Sequence, residues 1–419
     1  MASIKPGSSL GFLRLGMSLH SVLSTLRALP GPFSKIEVSF SKEDPVTNPV
    51  VVILDQAGLR LHFDGSQQTL RLIELVEWGK MKTMYKNTEL GRQGPPTFRN
   101  IYSKTFGPTY PGKYYADTRS YILSYPGIAF RFQIDNDQVE GDDFLKYLSG
   151  PNAPPCSSMV LFHGNSWVEA YDNLFDLEDR TANGNGQGQD HGEGKGGQQE
   201  KHSESIPVSL PVSNDAGTIE INYISLDPPG DKSTIYFASH PGALSSFDII
   251  ICKTSIQEVL MTLGAPSERF FKQDTRLSIH NPAESNEEVR TDLFFNYFNL
   301  GLDICFDTQQ PNPPVKKVVV HGNVPGSLPF QKYRRCRWKL PGGVTSEQKF
   351  SEYSEKYPHN KRPMVLNRTL ESPGSSVELV GEVDPMEEVN DWGLTDLYGS
   401  TGCVFEVLEN SAVVSLTIY

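Results

Sequence analysis

The chain has 419 residues, 37% of them hydrophobic and 10% aromatic, which is enough apolar material for a full core and a length that suits two or three domains. A formal net charge of −12 at pH 7 argues against general nucleic-acid binding, which needs basic surface against phosphates, and leaves room only for a local basic patch. No run of about 18 apolar residues occurs and the N-terminal stretch lacks a signal-peptide pattern, so the sequence predicts a cytosolic chain with no transmembrane helix.

The first predicted element is a short helix. Leu19, Val22, Leu23 and Leu26 recur at helical spacing and line one face, with Ser18 at the N-cap position. Gly58 to Phe63 reads as a strand leaving a glycine turn, Asp64 as a turn residue, and Leu70, Leu72, Ile73 and Leu75 as the returning strand. A weaker version of this pattern runs from Phe98, Ile101, Tyr102 and Phe106 to Tyr125 through Phe132. Met159 to Phe162 and Ile219 to Ile224 read as strands of a small middle β region.

Between those two strands the composition shifts, over about 179–206, to glycine, glutamine and charge, including Asn183 through Asp190. Such a stretch cannot bury enough apolar area to offset its ordering entropy, so it is predicted to be a disordered loop that interrupts a hairpin or small sheet. No Lys-Ser or Lys-Thr pair occurs in it, which excludes a phosphate-binding loop.

The helical pattern returns 237 positions after its first appearance, as Ile256, Val259, Leu260 and Leu263. Ser255 with Glu258, or Thr254 with Gln257, makes a capping box, and Gly264 followed by Pro266 ends the helix. Gly301 to Phe306 then repeats the glycine-led strand, Asp307 the turn, and Val315 with Val318 to Val320 the return. A loop over about 341–391 carries an acidic run from Glu378 to Glu388, and Cys403 to Glu406 with Ala412 to Ile418 close the chain as strands. The expected fold is therefore α+β: internally repeated units of one helix plus one antiparallel β-hairpin, forming twisted sheets. The expected division is 1–150 and 246–419 for two pairs of such units, with 151–245 as the middle β region.

Motifs for chemistry are missing. No H-E-x-x-H, G-x-S-x-G or G-x-x-x-x-G-K-[ST] occurs, and His62, His163, His240, His280, His321 and His359 lie far apart, so no catalytic, cofactor-binding or metal-ligating residue is named and no cofactor is expected. Cys156, Cys252, Cys305, Cys336 and Cys403 stand singly and read as reduced thiols. The strongest binding candidate is Lys332 to Leu340. As a strand it would put Tyr333, Arg335, Arg337 and Lys339 on one face and Cys336, Trp338 and Leu340 on the other. With Lys332, and with Lys316 and Lys317 if their strand is adjacent, the basic face could hold an acidic protein segment or a phosphoinositide head group, or be a solvated strand edge.

Leu15 to Leu19, Gly58 to Asp64, Phe106 to Gly112, Tyr125 to Phe130 and above all Phe294 to Asp307, with Val315 to His321, resemble the phagosome assembly factor family over nearly the whole chain. The resemblance implies a non-enzymatic cytosolic adaptor of autophagy. It implies a WD40 β-propeller partner, recruitment to the phagophore assembly site through phosphoinositide recognition that the propeller largely supplies, and a possible Golgi association. It carries over no catalytic residue. The glycine- and glutamine-rich insert and the turn Gln310 to Pro314 depart from the family pattern.

Overall fold

A computed structural model describes residues 1–29, 31, 33–91, 94–109, 112–134, 144–175, 218–273, 291–357, 359–360, 362–367, 377–379 and 394–419. The stretch 179–206 and most of the acidic run lie outside the described residues. The chain divides into two compact units. One comprises Met1–Gly16, Arg71–Ile73 and Lys82–Asn214, the other Met17–Leu70, Glu74–Met81 and Asp215–Tyr419.

The first unit holds two runs of strands. A five-stranded sheet combines β1 (Ala2–Lys5), β2 (Ser9–Leu10), β3 (Leu13–Arg14), β8 (Thr83–Tyr85) and β9 (Thr88–Leu90) in the order β3-β2-β1-β8-β9. The second run is β10 (Lys113–Tyr115), β11 (Ser120–Tyr125), β12 (Ile128–Gln133) and β13 (Cys156–Phe162), each antiparallel to the next. The hairpin β11–β12 turns at Pro126-Gly127, and Gly127 takes a φ of 77°. A Cβ there would meet Gly7 N at 2.1 Å, so glycine lets the two backbones touch. Ile122, Ala129, Val160, Phe162 and Trp167 bury the apolar faces.

The second unit contains both strongly periodic helices. In α1 (Leu19–Ala28) the residues Leu19, Val22, Leu23 and Leu26 are all buried, and the Ser18 side chain accepts from the Ser21 N–H, as the spacing predicts. In the later helix, Ile256–Leu263, the capping box is the Ser255–Glu258 one, and Gly264 ends the helix at a φ of 73°. The strands β4 (Ile36–Ser39), β5 (Val50–Leu54) and β6 (Leu59–Phe63) follow α1 as an antiparallel meander. β6 starts from Gly58, whose φ is 66°, and its hairpin to β7 (Leu70–Leu75) is closed by Asp64 N–H on Thr69 C=O and Val76 N–H on Gly58 C=O.

After Ile256–Leu263 come β17 (Glu268–Gln273), β18 (Thr291–Tyr297), β19 (Leu302–Asp307) and β20 (Val315–His321). These join β23 (Met364–Asn367), β25 (Leu394–Ser400), β26 (Cys403–Val407) and β27 (Val413–Ile418) in an eight-stranded sheet of order β17-β18-β19-β20-β27-β26-β25-β23. A five-stranded sheet holds β14 (Glu220–Leu226), β15 (Lys232–Ser239), β16 (Ser246–Ile250), β21 (Trp338–Leu340) and β22 (Val344–Thr345) in the order β16-β15-β14-β21-β22. Leu302, Ile304, Phe306, Val320, Phe405 and Leu416 pack with Ile224, Ile235 and Trp338 into one core.

This architecture corrects the expected one. The protein is mostly β, built of multi-strand sheets that are mainly antiparallel, and not a series of helix-plus-hairpin α+β repeats. The physical reason lies in the edges. A two-stranded hairpin leaves two unpaired edges and one bare face. Here the Val318 to His321 stretch pairs with Ser415 to Ile418 from the end of the chain, so the hairpin that ends in β20 continues into a wider sheet. The matched Phe-Asp pairs also differ in role. Asp64 is buried and accepts from the Gln67 and Thr69 N–H groups, whereas Asp307 accepts from the exposed Gln309 N–H.

Candidate functional site

The basic segment is not a strand along its length. Pairing begins only at Trp338, with Ile224↔Trp338 and Ser225↔Lys339 in parallel register. Before that the chain makes turns, Phe330 N–H to Ser327 C=O and Lys332 N–H to Pro329 C=O, and then crosses the ends of other strands. The Arg334 N–H donates to Phe298 C=O and the Cys336 N–H to His321 C=O. Crossing strand ends instead of lying beside a strand breaks the alternation, so Tyr333, Arg335 and Cys336 are all buried while Lys332 and Lys339 are exposed.

Gly301 makes the crossing possible. It has a φ of 73°, and a Cβ on it would meet Arg334 O at 2.2 Å and Cys336 Cβ at 2.8 Å.

A polar cluster pins the segment down. Asn296 and Asp303 face each other across β18 and β19, and His321 ends β20. Asp303 accepts from Asn296 Nδ2 at 2.7 Å, from His321 Nε2 at 2.8 Å and from the Tyr333 hydroxyl at 2.9 Å. A carboxylate only accepts, so Nε2 is the nitrogen of His321 that carries the hydrogen. The His321 and Tyr333 rings stack with centroids 3.7 Å apart. Burial, and secondly the adjacent Asp303 carboxylate, push the Tyr333 phenol up from its ordinary value, which keeps it a donor. Three donors on one buried carboxylate form a clamp. His321 Nε2 is taken by Asp303, and among the described residues no cluster of three or more His, Cys, Asp or Glu side chains is arranged for a metal.

The predicted cations fall in separate places. Lys332 Nζ lies 5.1 Å over the Phe298 ring, and Lys339 Nζ lies 4.2 Å over Tyr223. Arg337 donates to Asn222 Oδ1 at 2.9 Å, and Arg334, which the sequence reading left out of the patch, pairs with Glu220 at 3.3 Å. Arg335 is 8% exposed, and its Nε and Nη1 have no hydrogen-bond partner among the described residues. Burial lowers its guanidinium pKa, and Glu347, Asp64 and Asp44 act against that. Lys316 pairs with Asp292 at 2.8 Å and Lys317 lies 5.1 Å over Phe294. On β20 these two lysines stand about 13–16 Å along the strand from His321, where the segment crosses. The structure therefore sets Arg337 and Lys339 together against Asn222 and Tyr223, puts Lys332 on the Phe298 side, and does not bring Lys316 and Lys317 to them.

The residues that sequence reasoning missed are Asp303, Asn296 and Tyr333 as a clamp. A readable signal was present: Asp303 is a charge flanked by Leu302 and Ile304 within an otherwise apolar strand.

The thiols are unpaired, Cys252 exposed and the other four buried. Burial pushes Cys305 and Cys403 up to about 11 and Cys336 to about 12. Alkylation of the native chain at mildly alkaline pH is expected to modify Cys252 alone, the rest reacting only on unfolding; mass mapping of the adducts checks this. A raised folded pKa means stability is full below the unfolded thiol value and is lost as pH climbs through the folded one. The urea midpoint should therefore fall as pH rises from about 9 towards about 11.

No helix among the described residues is long and apolar enough to cross a membrane. The family model described as phagosome assembly factor 1 matches residues 9–419. The PHAF1 protein of Caenorhabditis elegans is 26% identical to this chain, over 97% of the chain and 90% of its own length. That of Arabidopsis thaliana is 26% identical, over 99% and 92%, and that of Drosophila melanogaster is 25% identical, over 97% and 90%. No solved structure matches the chain. With the match running through the β18–β20 strands, the Asp303 clamp and the crossing segment alike, the chain belongs to the phagosome assembly factor 1 family.

Proposed function

We propose that this chain is a non-enzymatic adaptor of autophagy, cytoplasmic and recruited to the phagophore assembly site in complex with a WD40 β-propeller protein. The observation that carries the reading is the match over residues 9–419 to a family named for phagosome assembly. The crossing segment is compatible with it: Lys332 and Lys339 are exposed on a stretch whose backbone is fixed by Phe298, His321 and the Asp303 clamp. A cationic, aromatic-lined surface held rigid loses little entropy on meeting an acidic protein face. Imaging of the tagged full chain tests this. It is expected to gather at phagophore structures on starvation, and a Lys332→Glu/Lys339→Glu variant to stay diffuse at equal abundance. A wild-type chain that stays diffuse sinks the reading.

A second reading is direct phosphoinositide binding at the phagophore or Golgi by Lys332, Arg337 and Lys339, cations of the basic segment that reach the surface. Arg337 and Lys339 favour it, since they stand together beside Asn222 and Tyr223 at the surface, where an anionic head group would meet two cations at once. Flotation of the purified chain with phosphoinositide vesicles that is unchanged by Arg337→Glu would reject this second reading.

A further inference from the structure

The eight-stranded sheet begins at an edge of unusual composition. Among the described residues β17 pairs only with β18, and its sequence is Glu268-Arg269-Phe270-Phe271-Lys272-Gln273. Phe270 is 54% exposed and Phe271 60%. Neighbours on a strand point to opposite faces, so an exposed ring stands on each face of this edge. Soluble proteins ordinarily blunt an edge with inward charge, proline or a covering element, and this one carries aromatics at its middle. The Phe270 ring centroid lies 6.5 Å from that of Phe294, and the Arg269 guanidinium sits 5.2 Å over Phe295.

The order of residues is complementary to itself. Take two copies of β17 running antiparallel about a two-fold axis at Phe270. Glu268 then lies opposite Lys272 of the partner subunit, and the symmetry makes that ion pair twice. Phe270 meets its own counterpart on the same face. On the other face Arg269 lies opposite Phe271 of the partner subunit, again twice, in cation–π geometry. Moving the axis by one residue, to Arg269, would instead set that arginine opposite its own counterpart in the partner subunit, a like-charge pair that the first register avoids. A foreign strand would require charge matched to itself and not this internal match between positions 268 and 272.

We infer that β17 is a homotypic docking edge, at which two copies of this chain pair antiparallel about Phe270 and join their sheets into one. Sedimentation of the full-length chain over a wide concentration range tests it. The wild type is expected to show a reversible monomer–dimer equilibrium. Glu268→Lys and Lys272→Glu each place like charges opposite one another twice, and each should weaken the dimer by about tenfold or more. The combined Glu268→Lys/Lys272→Glu chain restores both pairs and should return close to wild-type affinity. Glu268 is exposed and stands opposite Asn296, so the unfolding midpoint of Glu268→Lys should be unchanged and serves as the control. Lys272 stands opposite Asp292 of its own chain, so the midpoint of Lys272→Glu is measured alongside its dimer affinity. A chain that stays monomeric overturns the inference, even if exchange protection shows the 268–273 edge covered by something else. Single reversals without effect, or a double variant no tighter than the singles, overturn it as well.

Discussion

Gly301→Ala is expected to destabilise the second unit by about 3 kcal/mol and to dislodge the crossing segment. Two effects add. The left-handed backbone at a φ of 73° is strained for any residue with a Cβ, and the new methyl would lie 2.2 Å from Arg334 O, a backbone atom held by its neighbours. Gly343→Ala separates them, because Gly343 has a φ of 77° but open space around its Cβ position. That control should cost only about 1 kcal/mol. Urea titration of both variants decides the matter. Equal losses would mean that the close approach of the 334–336 backbone contributes nothing.

Asp303→Ala is expected to be worse, by about 3–5 kcal/mol, since it strips the acceptor from three donors that are largely out of water. His321 Nε2 and the Tyr333 hydroxyl lose their acceptor at once, and Asn296 Nδ2 keeps only its 3.2 Å bond to the Tyr333 oxygen. Tyr333→Phe removes one donor and keeps the stack on His321, so it should cost about 2 kcal/mol. In the Asp303→Ala background the same Tyr333→Phe change should cost clearly less, because its bond to the carboxylate is already gone and only the 3.2 Å one from Asn296 Nδ2 remains. Additive losses in that double-mutant cycle would show that Tyr333 is held by its ring contacts with Phe298 and His321 and not by the clamp.

Local features were legible in the sequence where one residue decides them. The apolar faces of the two helices, the caps at Ser18 and Ser255, and the glycine starts before Leu59 and Leu302 follow from spacing and from the backbone freedom of glycine. The sheets were not legible, because a period of two specifies which face of a strand is buried and says nothing about its neighbour. Val318 pairing with Ile418, and Ile224 with Trp338, are partnerships over long stretches of chain. That is why helix-and-hairpin units were expected where continuous sheets occur.

The basic segment shows the same limit at the site. Its alternation from Tyr333 to Leu340 is that of a strand, yet its N–H groups at Arg334 and Cys336 are bonded to Phe298 and His321 at the ends of other strands. A side-chain pattern cannot reveal that, and Arg335 is consequently buried where an exposed cation was expected. Lys316 and Lys317 were joined to the patch on the condition of an adjacent strand, and β20 carries them to its far end.

The proposed adaptor role requires a protein partner. Affinity purification of the tagged full chain from cells with induced autophagy, followed by mass spectrometry, tests it most directly. The expected result is near-stoichiometric recovery of a WD40 β-propeller protein, sharply reduced for Lys332→Glu/Lys339→Glu at equal bait abundance. Recovery of the bait with no propeller protein, or of a propeller protein equally by both baits, would contradict respectively the partnership and its placement on the crossing segment.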